Sequence, residues 1–228
     1  LLREGGEIRR GAKLLLDTCW RAVTLDEERK MHYPRDIGGI RDRKGGESNF
    51  YLDLIKGGIA QVIVRTILER FGYEVYPYGF ENYFSSITRS VPKPSASIPA
   101  KQIRATPDLL VFDRKNNKVF FVEVKGTSGK DERRFSLRMD KLDDYRSYWE
   151  EAILVIYCFR SGKVYCEKIS QINYDEAGTR ARDNKLVSVL NLKRDFRDLP
   201  SQFQLIEAEK YQEFCGEIRG VVKQFGMM

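Results

Sequence analysis

Between Pro107 and Gly126 two apolar runs flank a polar break, and few folds accommodate that pattern. The runs are Leu109-Leu-Val-Phe112 and Val119-Phe-Phe-Val-Glu-Val124, separated by Asp113-Arg-Lys-Asn-Asn-Lys118. Short β-branched and aromatic runs on either side of a turn predict a β-hairpin. Asn116-Asn117 suits the turn, because asparagine tolerates positive φ. Two registers are open. A tight turn that faces Lys115 with Lys118 sets Asp108 against Lys125 and Leu110 against Glu123. A longer loop that pairs Phe112 with Val119 sets Asp108 against Glu123 instead. Both put Asp108, Glu123 and Lys125 on one face, since strand side chains alternate with period two. Leu110, Phe112 and Phe121 share that face, while Leu109, Val111, Phe120, Val122 and Val124 take the other. A strand pair apolar on both sides is expected to be buried, yet it carries three ionisable groups at one end.

Buried charge without a partner is costly, so the three groups require a reason. One is a salt-bridge cluster at the edge of the sheet. The other is a metal site. Two carboxylates side by side repel, and a hard divalent cation such as Mg²⁺ relieves that repulsion by taking carboxylate and backbone oxygens together with water. Lys125, two residues past Glu123 on the same face, would then steady charge developing on a phosphate, which outlines phosphodiester hydrolysis.

Pro107-Asp108, fourteen intervening residues and Glu123-Val124-Lys125 together resemble the motif of the PD-(D/E)XK nuclease superfamily. What precedes the motif fits the same pattern. Helical spacing runs from Phe50 to Phe71 with Ile55, Ile59, Val62, Ile63, Ile67 and Leu68 as its apolar members. Gly72 is its stop, and Tyr73-Glu-Val-Tyr-Pro-Tyr78 predicts a strand. Lys56-Gly57 and Gly72-Tyr73 are most similar to the archaeal Holliday-junction-resolvase branch. The resemblance covers about residues 51 to 170. It implies a restriction-endonuclease-like α/β core, with a central mixed β-sheet flanked by helices. It further implies Mg²⁺, for which Mn²⁺ would substitute, held by Asp108, Glu123 and the carbonyl of Val124, with Lys125 as a catalytic cation. That branch carries a glutamate on the first helix eleven residues before the glycine, where this chain has Gln61. A neutral amide oxygen is a weaker ligand than a carboxylate, so Gln61 joins the expected catalytic set as a departure. Asp53 and Glu69, eight residues to either side, are each turned about 80° from its direction and are expected at the surface. Some relatives hold an iron–sulfur cluster on four cysteines, but the clustered spacing is missing here.

The remaining segments fill in the architecture. Residues 7 to 24 have the spacing of an amphipathic helix, and the charged stretch from Asp26 to Asn49 is expected to be a connecting loop with Arg35, Arg41, Arg43 and Lys44 as its basic members. Residues 1–50 therefore form an N-terminal extension, and 51–228 the nuclease domain. Residues 82 to 107 contain no acid but hold Arg89, Lys93, Lys101 and Arg104, which makes this loop a candidate phosphate-facing flap. Tyr78, Phe80, Tyr83 and Phe84 before it would either stack on bases or join the core. Lys130, Arg133 and Arg134 form a basic link after the motif. A helix is predicted from Phe135 to Glu151, with Arg138, Lys141 and Tyr145 as polar candidates to face the site. Strands follow at Ala152–Phe159 and Lys163–Ile169 around a turn at Ser161-Gly162. Beyond Asn173 the chain is polar and basic until Arg197, Phe203–Ile206 would be a short strand, and Tyr211 to Phe225 has the apolar spacing of a final helix. That helix would pack onto the domain or form a homodimer interface.

A net charge of +7 suits a polyanionic partner. Cys19, Cys158, Cys166 and Cys215 show no CxxC spacing and His32 is the single histidine, which does not suit zinc. Buried free thiols and the lack of a secretory or membrane-spanning run point to an intracellular protein. The expected function is a Mg²⁺-dependent nuclease acting on DNA, with RNA left open because nothing in the sequence reads a 2′-hydroxyl. The alternative is a nucleic-acid-binding module on a nuclease fold whose catalysis has decayed.

Overall fold

The computed structural model describes residues 46–79, 102, 105–129, 131–132, 134–173, 179–182 and 185–224. The expected helix at 7–24, the basic loop residues Arg35, Arg41, Arg43 and Lys44, and most of the acid-free segment lie outside them. Two compact units divide the chain, Leu1–Val62 and Ile63–Met228. Of the first, the described part is the larger portion of helix α1 (Gly46–Arg70), which starts at Gly46 rather than at Phe50.

In the second unit α1 ends as its sequence dictates. Gly72 takes a φ of +89°, which a side chain would strain, and Tyr73 N–H returns to the Leu68 carbonyl at 3.1 Å. The chain then builds a six-stranded mixed sheet from β1 (Glu74–Pro77), β2 (Leu109–Asp113), β3 (Lys118–Thr127), β5 (Ile153–Cys158), β6 (Lys163–Lys168) and β9 (Arg197–Asp198). All neighbours in that order are antiparallel except β3 and β5, which run parallel. A parallel pair needs a crossover. Here it contains β4 (Phe135–Arg138) and helix α2 (Met139–Trp149). All six residues of β5 are buried, as suits a central strand covered on both faces. On one face Leu154 and Ile156 pack in a cluster with Leu142 and Tyr145 of α2. Elsewhere in this unit Phe203 meets the rings of Tyr73 at 5.4 Å and Phe120 at 5.2 Å. Helix α5 (Ala208–Gln224) buries Tyr211, Ile218 and Val222, so the final helix packs onto its own chain through the expected stripe.

Several expectations are corrected. Phe135–Arg138 is a strand and not the first turn of a helix. Phe135 and Leu137 are buried while Ser136 is exposed, and this period-two pattern pairs with β8 (Lys185–Leu190). With β7 (Thr179–Arg182), they form a separate sheet of order β4-β8-β7, although the polar, basic stretch beyond Asn173 suggests no strands. Phe203–Ile206 is a turn, with Ile206 N–H bonded to the Phe203 carbonyl at 3.0 Å, and short helices α3 (Leu192–Asp195) and α4 (Leu199–Gln202) precede it. The β5–β6 connection spans four residues, with Cys158 pairing with Lys163, where a two-residue turn at Ser161-Gly162 would have paired Cys158 with Tyr165. Cys158 and Cys166 are buried free thiols, and burial pushes Cys158 up to about 12. No helix among the described residues is long and apolar enough to cross a membrane.

Candidate active site on the central hairpin

The hairpin takes the longer-loop register. Phe112 pairs with Val119 and Leu109 with Val122, so one step further the chain sets Asp108 opposite Glu123. The loop is longer because Asp113 is buried and spends both carboxylate oxygens on Asn116, accepting from its backbone N–H at 3.0 Å and its side-chain amide at 2.8 Å. Only Asn117 then needs the left-handed region, at φ 52°. The tight turn with two central asparagines does not form.

Asp108 sits just before β2 and is 9% exposed, and Glu123 on β3 is 3% exposed. The Asp108 backbone carbonyl accepts from Tyr78 N–H at 2.8 Å and Gly79 N–H at 3.2 Å, which anchors it to the end of β1. Its side chain reaches across to β3, where Oδ2 accepts from Val124 N–H at 2.8 Å. The N–H and C=O of one strand residue point to the same neighbour, so the Val124 carbonyl is turned to the Asp108 side as well. Glu123 Oε1 receives the Lys125 ammonium and the Tyr145 hydroxyl, the latter at 2.5 Å.

Electrostatics bind this cluster together. Burial works to lower the Lys125 pKa and is the largest single influence, but Glu123, Tyr145 and Asp108 together outweigh it. The ammonium therefore holds its proton well above its ordinary range. Burial, reinforced by Glu123, likewise pushes the Tyr145 hydroxyl up, so it remains a neutral donor. The half-buried Lys125 ammonium thus pairs with Glu123 and also feels the Asp108 carboxylate across the hairpin.

Among the described residues no cluster of three or more acidic, cysteine or histidine side chains stands ready for a metal. The donor set is two carboxylates and a backbone carbonyl. It fits Mg²⁺, which is commonly bound by one or two carboxylates while keeping several waters, and it does not fit a four-ligand zinc centre.

The other expected site residues fall differently. Gln61 is half-buried on α1 and lies in the first unit, outside the unit that carries the hairpin. Arg89, Lys93, Lys101, Arg104, Lys130 and Arg133 lie outside the described residues, and Arg134 is exposed. Of the polar candidates predicted on one helix, Arg138 instead ends β4 and pairs with Asp140, whereas Tyr145 of α2 is hydrogen-bonded to the hairpin cluster. Tyr145 was one of three similar candidates in the sequence, and only the true start of α2 at Met139 sets its face. Tyr78 packs on Phe121 at 5.3 Å between ring centroids and Trp149 at 6.2 Å, while Phe80, Tyr83 and Phe84 lie outside the described residues.

No protein-family model and no curated protein matches the chain. Among solved structures the fold is similar to that of Hjc, a Holliday junction resolvase from the archaeal hyperthermophile Archaeoglobus fulgidus. The identity is 11% and the TM-score 0.39, over 67% of this chain and 98% of that one. It is also similar to D212, a nuclease from a fusselovirus, at 14% identity and a TM-score of 0.32, over 82% of this chain and 99% of that one.

Proposed function

We propose that this chain is a metal-dependent nuclease that hydrolyses phosphodiester bonds in DNA. The observation that carries the reading is the cross-strand apposition of Asp108 and Glu123, both buried, with Lys125 on the same face and ion-paired to Glu123. These positions are the ones on which the sequence resembles the PD-(D/E)XK motif. Asp108, Glu123 and the Val124 carbonyl would hold Mg²⁺ or Mn²⁺, and the bound ion supplies a Lewis acid for a phosphoryl oxygen and acidifies water. Water oxygen bonds to phosphorus and gives up a proton, the bond to the leaving deoxyribose oxygen breaks, and that oxygen takes up a proton.

The chain's own groups have distinct tasks in this scheme. Lys125 keeps its proton at Nζ and offers fixed positive charge to the phosphate as negative charge builds. Tyr145 donates to Glu123 and holds its carboxylate against rotation. Val124 N–H does the same for Asp108. Arg89, Lys93, Lys101 and Arg104, with Lys130, Arg133 and Arg134, would supply contacts to backbone phosphates.

One observation favours a second reading, a binding module without catalysis: Gln61 stands where the resemblance has a glutamate. Incubating the protein with duplex, single-stranded and RNA substrates in Mg²⁺, and again in EDTA, separates the two. The nuclease reading predicts cleavage of DNA in Mg²⁺ and none in EDTA. DNA that is bound but remains intact in both Mg²⁺ and Mn²⁺ would overturn it in favour of the binding module.

A further inference from the structure

Where β3 ends, the chain builds a second feature that the hairpin chemistry does not use. Phe159 N–H bonds to the Thr127 carbonyl at 2.9 Å and Gly162 N–H to the Cys158 carbonyl at 2.8 Å, so the β5–β6 loop closes against the end of β3. Gly162 sits at φ +71°. A Cβ added there would come within 3.1 Å of the Arg219 side chain, which shows that the stem of Arg219 lies across this turn. An open cleft of about 440 Å³ results, lined among others by Arg160, Lys163, Lys193 and Arg219 and by the acids Asp131 and Glu132.

The charges in the cleft do not cancel. Glu132 is already engaged, accepting from the Tyr165 hydroxyl at 2.8 Å and pairing with Lys193 at 3.5 Å. Lys193 is in turn held by the Asn191 cap of α3, whose side chain accepts from Lys193 N–H. Arg160, Lys163 and Arg219 form no ion pair among the described residues. Arg160 of the β5–β6 loop, Lys163 at the start of β6, Lys193 of α3 and Arg219 of α5 thus line one opening, an excess of positive charge over the acids Asp131 and Glu132. Each of them belongs to the same unit as the hairpin carboxylates. Thr127 lies four residues beyond Glu123 on β3, which is about 13 Å at ~3.3 Å per residue. Phosphates follow one another every ~3.4 Å along each strand of a duplex axis, so this is a span of about four nucleotide steps.

We propose that the cleft formed by Arg160, Lys163 and Arg219 is a phosphate subsite that grips the backbone of a polynucleotide about four steps from the bond held at the hairpin. The subsite rests on the nucleic-acid part of the proposed function, but not on catalysis. It reads no base, so it adds affinity and position rather than sequence specificity.

Binding in EDTA tests it, because that readout is independent of cleavage. A triple variant, Arg160→Gln, Lys163→Gln and Arg219→Gln, is compared with the parent and with a charge-matched control, Lys115→Gln, Lys118→Gln and Lys168→Gln. Each is titrated with a duplex oligonucleotide over a salt series, after its melting curve is shown to match that of the parent. The expected result is that the cleft variant loses affinity at least about tenfold at low salt. Its log–log salt slope becomes shallower by about 0.9 for each phosphate it no longer neutralises, while the control stays near the parent. A cleft variant that matches the control overturns the subsite and leaves the nuclease reading to its own cleavage assay. A parent that binds no polynucleotide overturns both. A mononucleotide that displaces the duplex at equal phosphate concentration also overturns the subsite, since the cleft would then serve a free nucleotide.

Discussion

Asp108→Asn and Glu123→Gln are each expected to leave no detectable Mg²⁺-dependent cleavage while the protein still folds and binds DNA. Both replacements keep the acceptor oxygen that the fold uses. An amide carbonyl can still take the Val124 N–H at position 108 or the Tyr145 hydroxyl at position 123. What is lost is one negative charge in a buried pair and, with it, the site's hold on a divalent cation. Metal catalysis of phosphoryl transfer contributes several kcal/mol of charge stabilisation, and about 4 kcal/mol is already a thousandfold in rate. In EDTA the sign reverses. Each carboxylate repels a phosphate brought close to it, by about 1 kcal/mol at 4 Å even in water, so both variants should bind DNA up to about fivefold more tightly than the parent. Cleavage measured beside binding in both conditions checks the pair of effects. Retention of full metal-dependent cleavage by either variant would place the chemistry elsewhere.

Lys125→Met should separate the structural from the chemical role of the lysine. In the metal-free protein Lys125 is the counter-charge for Glu123, and removing one partner of a buried pair costs about 3–5 kcal/mol. The Lys125 side chain is 37% exposed, so water makes up part of that loss. About 2 kcal/mol is the expected cost, or about 4–8 °C in melting temperature for a domain of this size. Mg²⁺ or Mn²⁺ should restore most of it, because the cation replaces the missing charge. Turnover should nonetheless fall about 10²–10³-fold, since the fixed positive charge facing the phosphate is gone. If the cluster were only a salt bridge, the stability loss would be the same with and without metal, and melting curves in EDTA and Mg²⁺ would superimpose.

The hairpin was legible because its signals are local and agree. Alternation, turn chemistry and the placement of the acids all lie within about twenty residues, and period two alone puts Asp108, Glu123 and Lys125 on one face. Its register was not legible. The choice depended on Asp113 turning its carboxylate onto Asn116, a side-chain bond that the sequence allows without requiring. The small sheet was missed because its pairing is not local. Phe135–Arg138 reads as easily as the start of the following helix until β8, which ends at Leu190, supplies a ladder. Phe203 and Ile206 illustrate the opposite error, since both are buried within a turn and apolarity alone suggested a strand. Tyr145 could not be preferred over Arg138 and Lys141 while the start of α2 was misplaced. The basic cleft draws Arg160 and Lys163, Lys193 and Arg219 from three separate parts of the chain, and no one-dimensional pattern links them.

The most direct test of the central claim is a crystal soaked in Mn²⁺ with data collected at the manganese edge. A single strong anomalous peak is predicted at the hairpin, about 2.1 Å from carboxylate oxygens of Asp108 and Glu123 and from the Val124 carbonyl, with the Lys125 ammonium drawn away from Glu123. A fully soaked crystal with no peak there, and with Lys125 still paired to Glu123, would contradict the account and leave the three residues as a buried salt bridge.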